Sequence, residues 1–231
     1  MTLSDGNSQT RRPRRIGRLL ILAFTLASFG LVSPVAKSAP PASALEALKL
    51  LPVKGRAPKT GYTRAEFGHA WADEDHNGCD TRNDVLHRDL HDITVKPGTH
   101  GCVLLTGALA DPYSGDEIPF ERGPHSANIQ IDHVVALSNA WQTGAFQLEP
   151  EKRQAMANDP LNLLAVQGRL NSQKGDGDAA TWLPPRKAYR CAYVARQVAV
   201  KVRYGLWVTP PEHDAIVRIL AACPGERLPG K

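Results

Sequence analysis

No two of the four cysteines in this 231-residue chain are separated by only two to four residues. Small structural zinc sites use that spacing, so a cysteine-held zinc is excluded. No internal repeat and no low-complexity tract is present. The longest apolar run, Leu19 to Val32, has 14 residues, short of the roughly 20 that a bilayer crossing needs. Strands alternating with helices in βαβ order are also missing, which excludes a doubly wound parallel sheet.

What stands at the start is a leader. Arg11, Arg12, Arg14, Arg15 and Arg18 precede the apolar run, and small residues and prolines follow it, including Ala42-Ser43-Ala44. This is the three-part pattern of an export signal, with cleavage expected after Ala44; a cut near Ala39 would leave Pro40 directly behind it. Residues 1–44 carry six Lys/Arg and one acid, so the net charge of +5 belongs to the leader and 22 basic and 22 acidic side chains remain. They are unevenly spread: residues 45–121 hold 8 basic and 13 acidic groups, residues 122–231 hold 14 and 9. A polyanion would meet the second half. No cysteine lies near the cut, so lipid attachment is not indicated.

An even number of cysteines in an exported chain reads as two disulfides with three possible pairings. Chain order favours Cys79–Cys102 and Cys191–Cys223, each contributing on the order of 3 kcal/mol.

Residues 45–62 read as an extension that packs loosely against a single domain over 63–231. Thr63 with Glu66 predicts a capping box and a helix from Arg64 to Trp71, and a helix begins near Thr81 with Val85, Leu86 and Leu90 inward. Strands are expected at Ile93–Val95, Cys102–Leu105, Glu117–Phe120, Ile129–Val135 and Leu161–Val166, with a turn over Asp111–Gly115. The region Ser138–Asn158 is mostly helical, a second helix surrounds Asn171, and Arg186–Tyr204 is the longest helix. Thr209, Pro210 and Glu212 start a last one that ends near Ala222. The fold class is α+β with little strand.

Three segments carry chemistry: Ile131-Asp132-His133-Val134, Asn158-Asp159-Pro160-Leu161-Asn162-Leu163-Leu164 and Asn171-Ser172-Gln173-Lys174-Gly175-Asp176. In this order and spacing, D-H, N-L-x-L-L and N-x-x-K-G-D resemble the HNH nucleases, in particular their exported bacterial branch. The core match covers about residues 129–178. A wider likeness takes in Asp75 to Arg82, Asp111 to Gly115 and Ala140 to Gly144.

The resemblance implies a ββα-metal core (the His-Me finger) embedded in a mostly helical, disulfide-linked domain. Asp132 and Asn171 would ligate one Mg²⁺ or Mn²⁺, His133 would be the general base, and Asn162 would brace the site. DNA, with RNA as a second substrate class, is the implied partner of a secreted monomer. No base-reading module stands out, which favours low sequence specificity.

These residue types suit phosphodiester hydrolysis. A histidine near its ordinary pKa accepts a proton from water at neutral pH, and a carboxylate with an amide oxygen makes a hard donor set for Mg²⁺. Asn171 stands where many relatives have histidine, which disfavours Zn²⁺. Neighbours on a regular strand point to opposite faces, so Asp132 and His133 share one site only if the strand ends or bends there.

Weaker candidates surround this set. Arg82, Lys174 and Arg186 are candidate phosphate contacts. Asp73, Asp75, Asn77 and Asp84 echo a Ca²⁺ loop without its closing glutamate, and presentation of Asp80 and Arg82 beside the core is the other use of that loop. The rival functions are an inactive binding or cell-surface protein on a nuclease scaffold, and a phosphodiesterase for small diesters.

Overall fold

The computed structural model describes residues 43–230; residues 1–42 of the expected leader lie outside them. Seven α-helices and five strands are described: α1 Ala44–Leu48, α2 Thr81–Asp89, β1 His91–Val95, β2 Leu104–Ala110, β3 Glu117–Glu121, β4 Ile129–His133, α3 Leu137–Gln142, α4 Pro150–Ala157, β5 Leu163–Gln167, α5 Gly168–Lys174, α6 Arg190–Tyr204 and α7 Pro210–Ala221. The class is mixed α+β with two disulfides, Cys79–Cys102 and Cys191–Cys223.

The strands form two antiparallel sheets. β1-β2-β3 is a meander, and β4 pairs only with β5, with Ile131 opposite Ala165 and His133 opposite Leu163. The smaller sheet packs against apolar clusters on both faces, which explains why β5 reads as an apolar run. On one face Leu164 and Val166 pack with Val194, Val198 and Ile216 of α6 and α7. On the other, Ile129, Ile131 and Leu163 pack with Val85 and Leu86 of α2 and with Leu104 and Phe120 of the meander. A third cluster, including Phe67, Trp141 and Met156, lies under the long connection between β4 and β5.

Several expectations are corrected. Arg64–Trp71 is not a helix but a 3₁₀ turn over Arg64–Phe67, because Thr63 makes no side-chain cap and Gly68 follows at φ 69°. Glu66, freed from the capping box, pairs with Arg153. The capping box of α7 is formed, Thr209 accepting from Glu212 N–H. The second strand runs on from Leu104 through Gly107 to Ala110. The helical stretch after β4 breaks into α3, a 3₁₀ turn at Ala145–Gln147 and α4. The longest helix starts at Arg190, four residues late, after a 3₁₀ turn.

Residues 44–51 do not pack loosely. Ser43 caps α1, Ala44, Ala47 and Leu48 are buried in the main cluster, and the Ala44 N–H donates to Glu226 O at 2.8 Å.

Candidate active site

β4 and α5 build one wall of an open cleft of about 400 Å³, lined there by Gln130, Ile131, Asp132, His133, Asn171, Gly175 and Asp176. Among the described residues no second strand pairs with β4. α5 follows β5 without a loop. This direct junction requires Gly168, since a Cβ there would overlap the carbonyl oxygen of Ala127. One turn later Asn171 Nδ2 donates to Gln130 Oε1 at 2.9 Å, which leaves the Asn171 amide oxygen as its remaining acceptor.

Asp132 and His133 sit on successive positions, and both reach the cleft because β4 ends at His133. Asn162 enforces the break. Its carbonyl accepts from Val134 N–H and its side-chain oxygen from Val135 N–H, both at 2.8 Å, while its Nδ2 donates to Val135 O and Met156 O. Fully buried, Asn162 replaces the ladder that β5 can no longer offer.

Asp132 is 4% exposed and held from two sides. The Tyr113 hydroxyl donates to Oδ2 at 2.5 Å, and Lys174 Nζ donates to Oδ1 and to the His133 carbonyl, each at 2.9 Å. Burial, with the Asp132 charge beside it, pushes the Tyr113 hydroxyl well above its ordinary value, so it stays a donor. Neither partner was placed by the sequence in this role. Lys174, expected at a phosphate, has a fully buried side chain and neutralises Asp132 instead. Tyr113 belongs to the Asp111–Gly115 turn, where the family likeness was the only signal.

His133 Nε2 lies 2.9 Å from Ala157 O at the end of α4. A carbonyl only accepts, so the neutral ring carries its proton on Nε2 and keeps the Nδ1 lone pair free. Trp71 stacks on the imidazole, with centroids 6.3 Å apart and planes at 19°. Burial lowers the His133 pKa to about 4; the bond to Ala157 O and the Asp132 charge oppose this, while Arg64 and Lys174 add to it. The ring is therefore neutral at pH 7.

The second wall comes from Tyr62, Arg64, Trp71 and Arg82. Trp71 adopts φ 59°, a left-handed conformation rare for a bulky residue and held here by its neighbours. Ala72 N–H donates to Asn158 Oδ1, Asn158 Nδ2 to His69 O, and His69 N–H to Gln154 Oε1. The end of α4 thus fixes both His133 and the loop that covers it.

The structure brings Asp132, His133, Asn171 and Arg82 to one cleft, with Asn162 behind it. Arg186 is not among the cleft residues; its side chain lies against Gly115, and its N–H donates to Tyr113 O. The Ca²⁺-loop residues tie their own turn together instead of opening on a common centre: Asp73 accepts from Asn77 and Gly78 N–H, and Asn77 Nδ2 donates to Asp75 and Asp84. Asp80 caps α2. Sequence reasoning missed Arg64, Trp71 and Gln130, none of which stands in a recognisable spacing.

As a cation site, the cleft offers the Asp132 carboxylate and the amide oxygens of Asn171 and Gln130. Among the described residues no three His, Cys, Asp or Glu converge on a metal position. Hard oxygens in small number fit a Mg²⁺-type ion that keeps most of its waters.

Residues 80–219 match the family described as "GmrSD restriction endonucleases, C-terminal domain". An "uncharacterized secreted protein" of Arthroderma benhamiae is 35% identical over 193 residues, covering 82% of this chain and 90% of that protein. No solved structure matches. Among the described residues no helix is long and apolar enough to cross a membrane.

Proposed function

Since the chain belongs to the GmrSD restriction endonuclease C-terminal domain family, we propose that it is a secreted, metal-dependent endonuclease of the HNH type. Its substrate is DNA, with RNA as a second class, cut with low sequence specificity. The observation that carries this reading is the convergence of Asp132, His133 and Asn171 on one cleft, behind which Asn162 clamps the turn after the base. β4, β5 and α5 then correspond to the ββα-metal core that the HNH resemblance implies. Export agrees with the two disulfides and with the secreted relative.

His133 Nδ1 takes a proton from a water whose oxygen attacks phosphorus, and the phosphorus–oxygen bond to the leaving alcohol breaks. The alcohol oxygen takes up a proton from solvent, and the imidazolium returns its own. Ala157 O keeps Nε2 protonated through the step and stabilises the imidazolium. The Asp132 carboxylate and the Asn171 amide oxygen would hold one Mg²⁺ or Mn²⁺, which when bound would supply Lewis-acid charge neutralisation. Lys174 and Tyr113 keep Asp132 in place without occupying Nδ1.

Nicking of supercoiled plasmid in Mg²⁺ and in EDTA, beside hydrolysis of an activated small phosphodiester, tests the reading. Nicking that EDTA abolishes is expected. Hydrolysis of the small diester alone would replace the endonuclease with a small-diester enzyme, and DNA binding with no cleavage in any divalent ion would leave a binding protein.

A further inference from the structure

Charge in the cleft favours an anion even before a cation is counted. Asp132 is matched by Lys174, and Asp176 by Lys59 at 3.0 Å. Arg64 and Arg82 remain. Among the described residues neither forms an ion pair, whereas Arg56, Arg88, Arg153 and Arg203 all do. Asp80, the acid that acts on Arg82, spends its oxygens on the N–H and side-chain amide of Asn83. Arg82 is also half-buried, with Arg122 as a like-charged neighbour, and both burial and that neighbour lower its pKa. An unpaired guanidinium kept partly out of water beside another cation is costly unless an anion completes it. Arg64 belongs to the 3₁₀ turn and Arg82 to α2, so two separate elements deliver a free fork of donors to the same cleft.

We propose that Arg64 and Arg82 form a two-armed receptor for a nucleic-acid phosphate, and that it binds without a metal ion. The choice of a nucleic-acid phosphate rests on the endonuclease reading above; the receptor itself rests on the two unpaired guanidinium groups. With its one central carboxylate neutralised by Lys174, the cleft attracts a free divalent cation weakly, and a docked phosphate restores the negative charge that such a cation needs.

The test is fluorescence anisotropy of a short fluorescein-labelled DNA duplex, titrated with the secreted protein in EDTA over a series of salt concentrations. Wild type is expected to bind. Arg64→Gln and Arg82→Gln should each weaken binding by about tenfold or more and lower the slope of log K against log salt by about one. Arg186→Gln, outside the cleft, should change neither. Urea unfolding of each variant checks the fold; if Arg82→Gln is unstable, Arg82→Lys should keep the salt slope and lose affinity through the missing fork. Absence of binding by wild type in EDTA, or unchanged affinity and slope in both glutamine variants, overturns the receptor. Plasmid nicking in Mg²⁺ separates the two claims. Arginine-dependent binding without nicking leaves the receptor and removes the enzyme, and nicking with arginine-independent binding does the reverse.

Discussion

Asp132 is oriented by Lys174 and Tyr113 before any cation or substrate arrives. Removing the ammonium leaves a buried carboxylate without its counter-charge, which costs about 3–5 kcal/mol. Lys174→Met should therefore lower the urea-unfolding free energy by about that amount, and a loss below about 1 kcal/mol would mean that the pair is not buried as described. The sequence showed Lys174 as part of a motif but not its direction, because burial of a lysine depends on which helix face meets β4. His133 gives a second residue-level test. Its pKa falls from an ordinary 6.5 to about 4 on folding, so the unfolded chain binds the extra proton between these values. Stability from this group is present above about pH 6.5 and is lost as pH falls towards 4, about 3 kcal/mol in all. In EDTA, wild type should lose that much more than His133→Gln between neutral pH and about pH 4; equal losses would place the imidazole in water.

At the scale of elements, the site depends on how abruptly chains start and stop. β4 stops at His133 because Asn162 takes over Val134 and Val135, and α5 starts at once because Gly168 has no side chain. Gly168→Ala should push α5 from the 3₁₀ turn at Ser126–Asn128 and cost about 1–3 kcal/mol by overpacking. It should also slow plasmid nicking, because Asn171 rides on the displaced turn; wild-type stability and rate together would contradict the tight junction. The apolar run of β5, the strand at Ile129 and the α7 cap were readable from local pattern. The covering loop was not. Thr63 and Glu66 have the letters of a capping box, yet Glu66 pairs with Arg153 from a distant helix, and Trp71 takes a backbone conformation that no propensity favours. Such tertiary contacts leave no periodic trace in the sequence.

Across the molecule, the amino-terminal segment proves to be part of the core rather than an appendage. A cut after Ala44 removes the Ser43 cap and the buried Ala44, whose N–H reaches Glu226 near the other end of the domain. Amino-terminal sequencing of the chain expressed with its leader should find the processed form beginning at or before Ser43; a start at Leu45 would contradict this packing. Small residues before a cleavage site and small residues at a helix start look alike in sequence, and burial alone separates them. These parts meet at the His133 imidazole, which bonds Ala157 O through Nε2 beside an oxygen-donor cleft. The most direct measurement is the rate of supercoiled plasmid nicking in Mg²⁺ by wild type and by His133→Ala, with urea unfolding to check that the variant folds. A folded variant slower by at least about 10²-fold is expected, the low end for a positioned general base. A folded variant that nicks at the wild-type rate would contradict it.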